Sequence, residues 1–341
     1  MTTLARNIFE DVCNENIIDI SIIEKGIEDS YIVETDTRKY IIKIHNNIYY
    51  NNVHNFLSGP KLISIVHNNT TIPVPKVRHY GTKYENAFYM MDYREGFHYN
   101  VDDYAYDLQL DIMSEIGTYL AQLHNIECKH NRYGWLSYNR TDDELYIDSG
   151  YSTFKDLICD GLREFNDSIQ EGNKFEDIID SKHRFSDCYE NILEIIDYID
   201  ENIVFNSDYR YCHNDFKYDN IIIKENNVSA IIDWDSPMIA DPVYNLLSAE
   251  QNMIYKYKIN NKISEQKREK LRSIFRNSYF IERNEEIKIE SNKTELYRLY
   301  FTLTFMDNFS HWLKNCDKEE KDRTELFLRK EIDEIQNHFI N

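Results

Sequence analysis

Asp215, Lys217, Asn220 and Asp233 are residues whose types and spacing could do chemistry. They lie in His213-Asn214-Asp215-Phe216-Lys217-Tyr218-Asp219-Asn220 and in the segment Ile231-Ile232-Asp233-Trp234-Asp235 that follows. The chemistry they suit is phosphoryl transfer. That reaction asks little covalent work of a protein and rests on aligning the attacking hydroxyl, neutralising the phosphates and holding the metal ions that bridge them. Asp215 can accept the hydroxyl proton. Five residues later Asn220 offers a neutral carbonyl oxygen, and thirteen beyond that Asp233 offers a carboxylate, the hard oxygen ligands that Mg2+ prefers. An apolar run from Ile221 to Ile223 directly follows Asn220, and another from Ala230 to Ile232 directly precedes Asp233. The spacing predicts a short hairpin with the polar residues at its rim, so that the charges converge at one open end.

The order H-x-D-x-K-x-x-N followed by a metal-binding Asp is the catalytic pattern of protein kinases. Here the segment resembles that of the aminoglycoside phosphotransferase and choline kinase superfamily, and most closely the aminoglycoside phosphotransferase branch. Ile72-Pro73-Val74-Pro75-Lys76-Val77 resembles the I-P-V-P signature before the fourth strand, Leu120-Ala121-Gln122-Leu123-His124 the L-A-x-L-H that ends the first large-lobe helix, and Asp241-Pro242 the D-P after the metal Asp. The likeness runs from about Ile17 to Leu247. A lone His-x-Asp is commonplace, and an Asp in a turn is more often a cap than a catalyst, so the weight rests on the ordered set. The resemblance implies an α+β, bilobal protein-kinase-like fold, with a small lobe built on a five-stranded antiparallel sheet and a larger, mainly helical lobe. Residues 1–92 would form the nucleotide-binding sheet. Residues 93–341 would carry the catalytic loop 213–220, the metal-binding segment 231–235 and the acceptor-binding helices. It also implies that His213 braces the loop. Pro73 and Pro75 read as punctuation that stiffens a connection, without a chemical role.

Three β-rich runs, Ile17 to Glu24, Tyr31 to Thr35 and Tyr40 to His45, open the small lobe, and Val77 to Tyr84 and Ala87 to Met91 complete it. Gly26-Ile27-Glu28-Asp29-Ser30 is then the loop over the phosphates, with backbone amides near Ser30 as the cradle. Lys43, flanked by Ile41, Ile42 and Ile44, matches the strand lysine that pairs with the α- and β-phosphates. Its plain alternative is an edge lysine that blunts strand pairing. The chain departs from the pattern here. Between Lys43 and Pro73 there is no Asp or Glu, and the place of the family's lysine-pairing glutamate falls near Gly59-Pro60. Either Lys43 is held by Asp233 and the nucleotide alone, or the small lobe binds nucleotide poorly. Met91-Asp92-Tyr93-Arg94-Glu95-Gly96 resembles the hinge where adenine meets backbone.

Beyond the hinge, Leu108, Ile112, Ile116, Tyr119, Leu120 and Leu123 recur at helical steps, with Asp102 or Asp103 as the cap and His124 as a core histidine. Phe154 to Phe165 and Cys188 to Ile203 also read as helices, around a polar span near Gly172 and Asp180. The pattern of Leu296, Leu299, Tyr300, Leu303 and Phe305 gives a helical end, and the charged stretch Asn315 to Arg323 reads as a solvated turn or face.

The 341 residues can bury a sizeable core, and an apolar content of 42% argues against disorder. The chain starts without a signal-peptide core and holds no apolar run of bilayer length, so it reads as cytoplasmic. Six scattered cysteines without a C-x-x-C pair disfavour structural zinc and a disulfide framework, and are expected reduced and mostly buried. A net charge of −21 disfavours nucleic acid and anionic membranes as partners and would draw in a cationic substrate; solubility or a salty cytoplasm accounts for it equally well.

The expectation is a Mg2+-dependent kinase moving the γ-phosphate of ATP or GTP to a hydroxyl of a small, cationic acceptor. Asp215 is the base, Asn220 and Asp233 the metal ligands, Lys43 the α/β-phosphate contact and Lys217 a γ-phosphate contact; Ser30 and Met91 also face the nucleotide. Asp241 is expected to brace the catalytic loop, and Asp235 is open between a supporting group and a cation contact. An aminoglycoside suits the acidic chain; a choline- or ethanolamine-like acceptor suits its 27 tyrosines. A nucleotide-binding module without turnover is the alternative from another class. A protein kinase is disfavoured by Asp233-Trp234-Asp235 in place of D-F-G. Monomer and dimer remain open.

Overall fold

The computed structural model describes residues 2–23, 29–45, 53–100, 104–171, 184–204, 206–254, 264–284 and 289–340. Packing divides the chain into two compact units. The first comprises Met1–Gly150, Tyr209–Ile239 and Gln266–Glu285, and the second Tyr151–Asp208, Ala240–Glu265 and Glu286–Asn341.

The first unit opens with helix α1 (Thr2–Val12), then strands β1 (Ile17–Ile23), β2 (Asp29–Thr35) and β3 (Lys39–Ile44). Helix α2 (Val53–Asn69) precedes β4 (Val77–Lys83) and β5 (Asn86–Asp92). The five strands form one antiparallel sheet in the order β1-β2-β3-β5-β4. β-Branched and aromatic residues dominate β1, β2 and β3, which suits a pleated, half-buried surface. Tyr31, Val33, Tyr40, Ile42 and Ile44 turn their side chains to the core, where Ala5, Ile8 and Phe9 of α1 cover them. Helix α1 was not foreseen, although its buried residues stand at helical spacing. The β2–β3 turn is tied to the chain before β1. Glu15 accepts hydrogen bonds from Thr35 at 2.7 Å, Thr37 at 2.6 Å and Tyr40 at 2.5 Å. Burial works to raise its pKa, but these hydrogen bonds and the nearby Arg38 hold it down to about 2.

Strand β6 (Phe97–His98) leads to helix α3 (Tyr106–Asn125), followed by the short strands β7 (Gly134–Trp135), β8 (Ser137–Asn139) and β9 (Glu144–Tyr146). The cap expected at Asp102 or Asp103 lies outside the described residues. The helix starts later, at Tyr106, with Ala105 as an N-cap that makes no side-chain hydrogen bond. His124 is fully buried with its Nδ1 2.8 Å from the Tyr279 hydroxyl, a satisfied core histidine as read from the sequence. Strands β10 (Arg210–Cys212), β11 (Ile221–Lys224), β12 (Asn227–Ile231) and β13 (Met238–Ala240) come later in the chain. β11 and β12 form the predicted hairpin, and β6 adds a third strand to it. The Glu115 carboxylate of α3 accepts the Val228 amide at 2.9 Å, and the Pro73 carbonyl accepts the Ile231 amide at 2.7 Å. Pro73 therefore does more than stiffen a connection, because its carbonyl anchors the hairpin that carries the site.

The second unit is helical. It contains α4 (Phe154–Glu171), α5 (Tyr189–Asn202) and α6 (Pro242–Ile254). Helix α7 (Glu265–Arg283) packs in the first unit, where Gly117 of α3 lets the two backbones meet: a Cβ at that glycine would stand 2.3 Å from the Phe275 carbonyl oxygen. The second unit resumes with α8 (Ser291–Asp307), a one-turn α9 (Phe309–Trp312) and α10 (Lys318–Phe339). Helix α8 packs on α4, α6 and α10, with Phe154, Tyr244 and Tyr297 in mutual edge contact. The polar span from Gly172 to Asp180 lies outside the described residues. The stretch Asn315 to Arg323 is more than a solvated turn. Asp317 caps α10 by accepting the Glu320 amide at 2.8 Å, a D-x-x-E start signal in the sequence.

The six cysteines are all free; Cys159, Cys188 and Cys212 are buried, and the other three are only partly so. Among the described residues no helix is long and apolar enough to cross a membrane.

Candidate active site

The β11–β12 hairpin sets the geometry. Ile221 stands opposite Ile231, so the residue before β11 and those after β12 emerge at the same end. The Ile232 amide donates to the Asn220 carbonyl at 2.9 Å and closes that end. Asn220 finishes a 3-10 turn, Tyr218–Asn220, and its side-chain amide donates to the Asp215 carbonyl at 2.8 Å and the Asp215 carboxylate at 3.0 Å. Lys217 Nζ lies 2.8 Å from the same carboxylate oxygen of Asp215. Burial tends to lower the pKa of Lys217, but the Asp215 charge beside it raises it, so the ammonium stays charged.

His213 holds this loop to the second segment. It is fully buried, and its Nε2 lies 2.9 Å from the Ile232 carbonyl oxygen while its Nδ1 accepts the Asp215 amide at 3.3 Å. Burial lowers its pKa, so the ring is neutral, and these partners assign the proton to Nε2. Trp234 packs beside it with the rings tilted at 54° and their centroids 4.4 Å apart. Asn214 and Asp233 both have left-handed backbone, with φ of 62° and 66°. Asn and Asp tolerate that region better than other residues with a Cβ, and strain of this kind clusters at functional sites.

On the five-stranded sheet, Ser30 of β2, Lys43 of β3 and Tyr89 of β5 form one cross-strand row. Lys43 Nζ lies 2.8 Å from Asp233 Oδ1 and makes a still closer contact with Asp235 Oδ2. The Tyr89 hydroxyl donates to the other oxygen of Asp235 at 2.5 Å. Burial opposes the charge on Lys43, but Asp235, Tyr89 and Asp233 more than offset it and push its pKa well up. Burial also opposes the charge on Asp233, yet the Lys43 ammonium holds this carboxyl below the ordinary range. The expected glutamate of α2 is absent, and its place is taken from elsewhere in the chain. A Cβ at Gly59 of α2 would stand 2.7 Å from the Trp234 carbonyl oxygen, so only a glycine lets the Trp234-Asp235 backbone lie against the helix.

Asp215, Lys217 and Asn220 thus form one cluster and Asp233 and Lys43 a second, and His213 and the Ile232–Asn220 backbone hydrogen bond hold the two segments together. Of the loop expected over 26–30, residues 26–28 lie outside the described residues, while Asp29 and Ser30 belong to β2, where Ser30 is buried in the row beside Lys43. Met91 pairs with Ile41 and Val77 inside the sheet and is 5% exposed. The amides of Asp92 and Tyr93 donate to the carbonyls of Lys76 and Lys39. Asp241 does not brace the catalytic loop as expected. Its hydrogen bonds go to Ser207, Lys293, Tyr297 and the Val243 amide, all in the second unit. Its charge is spent on Lys293, and that pair locks α8 to the start of α6.

The donor set fits magnesium. Asn220 has its amide nitrogen held on Asp215, which presents the carbonyl oxygen as the end for a cation, and Asp233 adds a carboxylate that is 42% exposed. Among the described residues no cluster of three or more His, Cys, Asp or Glu could hold a metal alone. The sequence reading missed the roles of Tyr89 and Gly59, of which only the glycine in place of the expected acid gave a signal.

A profile of the phosphotransferase enzyme family matches residues 19–255. No curated protein sequence matches significantly. Among solved structures, a protein of Ralstonia eutropha JMP134 described as an aminoglycoside phosphotransferase has a TM-score of 0.69 at 10% identity, covering 100% of this chain and 99% of its own. A thermostable mutant of aminoglycoside phosphotransferase APH(4)-Ia, in ternary complex with ADP and hygromycin B, has a TM-score of 0.59 at 13% identity, covering 96% and 98%. A protein of Haemophilus somnus 129PT described as a fructosamine-3-kinase has a TM-score of 0.58 at 13% identity, covering 97% and 96%. The fold is therefore that of the kinase-like aminoglycoside phosphotransferases.

Proposed function

This chain belongs to the phosphotransferase enzyme family, and on that premise we propose that it transfers the γ-phosphate of ATP or GTP to a hydroxyl of a small cationic acceptor. The observation that carries the reading is that the Asp215–Lys217–Asn220 cluster and the Asp233–Lys43 pair stand at the same end of one hairpin. Asp215 would take the proton of the attacking hydroxyl, its carboxylate held in line by Asn220 and Lys217. Lys43 would meet the α- and β-phosphates from the sheet, beside the Ser30 cradle, while Lys217 would meet the transferring group. Asn220 and Asp233 would hold Mg2+, which when bound neutralises charge on the phosphates. Residues 1–92 would serve the nucleotide and residues 93–341 the catalysis and the acceptor. The adenine contact would fall near Met91, at the hinge, where the amides of Asp92 and Tyr93 are already used by Lys76 and Lys39.

An aminoglycoside is the favoured acceptor. The neighbour holding hygromycin B supports it, and a net charge of −21 favours an amine-rich ligand. The fructosamine-3-kinase neighbour makes amino sugars the next class to test, with choline-like alcohols after it. Turnover in the cytoplasm, where nucleotide is plentiful, is part of the proposal. The test is incubation with γ-labelled ATP or GTP, Mg2+ and pooled aminoglycosides, amino sugars and amino-alcohols. Label transferred to one pool supports the reading; ADP binding without transfer to any pool would replace it with a nucleotide-binding module.

A further inference from the structure

We propose that Asp235, fixed by Tyr89 and seated on Gly59, is the counter-ion of Lys43, leaving Asp233 to serve the metal. This inference rests on the reading of the chain as a nucleotide-dependent phosphotransferase and names a positioning residue within it.

A lysine that sits in a sheet with only 13% of its side chain exposed needs a carboxylate near it, because an ammonium is costly to bury unpaired. Helix α2, which follows β3, offers none: no Asp or Glu occurs between Lys43 and Pro73. The two carboxylates that do reach Lys43 are unlike one another. Asp233 is 42% exposed and stands at the rim beside Asn220, with the hard oxygens suited to a cation. Asp235 is 15% exposed, and each of its oxygens is engaged, one by Lys43 and the other by the Tyr89 hydroxyl. Tyr89 is directly opposite Lys43 in the β3–β5 ladder, with the ammonium 5.9 Å from the ring centroid, so the Asp235 carboxylate bridges the two and makes a triangle of the three side chains. The seat for that triangle is Gly59, where a Cβ would come 2.7 Å from the Trp234 oxygen and 3.6 Å from the Asp235 Cα. The helix gives up a side chain at this turn, and the acid arrives from the end of β12 instead. An acid on the helix and an acid at position 235 are thus alternatives for the same place.

The competing role for Asp235 is that of a further metal ligand, and calorimetric titration with ADP separates the two. It would be run on the full chain, once with EDTA and once across a Mg2+ series, with thermal melting of each variant alongside. For Asp235→Asn we expect ADP affinity to fall at least about tenfold with and without Mg2+, and the Mg2+ midpoint to stay where it is in the wild type. Tyr89→Phe should weaken ADP by about two- to fivefold, and Gly59→Ala should weaken it too. In a Lys43→Ala background, adding Asp235→Asn should change affinity by less than about twofold, since its effect passes through the lysine. Unchanged metal-free affinity with a shifted Mg2+ midpoint would overturn the inference in favour of a metal ligand. Undiminished losses in the Lys43→Ala background would overturn it in favour of a merely structural role. If Asp235→Asn fails to fold, Tyr89→Phe and its pairing with Lys43→Ala carry the same comparison. A wild-type chain that binds no ADP would defeat the phosphotransferase reading and this inference together, whereas wild-type binding matched by Asp235→Asn would defeat the inference alone.

Discussion

Asn220 is joined to Asp215 twice, its side-chain amide bridging the backbone carbonyl at 2.8 Å and the carboxylate at 3.0 Å. One side chain thereby fixes the direction of the proposed base while keeping its own oxygen for a cation. This coupling makes the two residues a unit whose losses will not add.

Asp215→Asn should lower kcat by about 10²- to 10⁴-fold, the usual range for a positioned base, while leaving ADP affinity within about threefold of wild type. Steady-state kinetics and a nucleotide titration on the same preparation measure both. A near-normal kcat would remove Asp215 from the mechanism.

Lys217 shares a carboxylate oxygen with Asn220 and carries the positive charge nearest the base. Lys217→Ala should reduce kcat by about 10²-fold or more, because charge stabilisation is made chiefly in the transition state, with a smaller effect on the KM for acceptor. A variant that raised KM alone would place Lys217 in ground-state binding.

Glu15 has its carboxyl held at about 2, against an ordinary value of 4.5. A carboxyl depressed in the folded state contributes stability that is fully present above its unfolded value and lost as pH falls through the folded one. Between about pH 4.5 and 2 the wild type should lose this contribution. Glu15→Gln should be less stable at neutral pH and lose less over that window. Thermal melting of both proteins from pH 7 to pH 2.5 reads the difference, and parallel curves would count against it.

Lys293 and Asp241 form an ion pair almost out of contact with water, their closest atoms 2.9 Å apart. Lys293→Met leaves the carboxylate without its cation, and breaking such a pair costs about 3–5 kcal/mol. Ser207, Tyr297 and the Val243 amide still donate to Asp241, so the lower end of that range is expected. Urea denaturation provides the measurement, and a loss below about 1 kcal/mol would mean that those three donors suffice.

The strands and the hairpin were legible because β-branched runs broken by short polar turns leave few other readings, and the charged residues flank those runs directly. Asn220 and Asp233 could be brought together from the sequence for that reason alone. The partners of Lys43 could not, since Tyr89 and Asp235 reach it only through strand register and the approach of two backbones at Gly59. Helix α1 and the Asp317 cap carry ordinary local signals, apolar positions at helical steps and a D-x-x-E start. Asp241 was misplaced because its two-residue motif says nothing of the lysine 52 positions later that claims it.

The double hold on Lys43 has a consequence for what can dislodge it. A bare anion arriving at the sheet offers the lysine a new companion but gives the abandoned Asp233 nothing in return. On the proposed reading, a polyphosphate that brings its own divalent ion would satisfy both at a stroke. On the proposed roles of Lys43 and Asp233, discrimination between a loaded donor and stray inorganic phosphate would then be written into the company one lysine keeps.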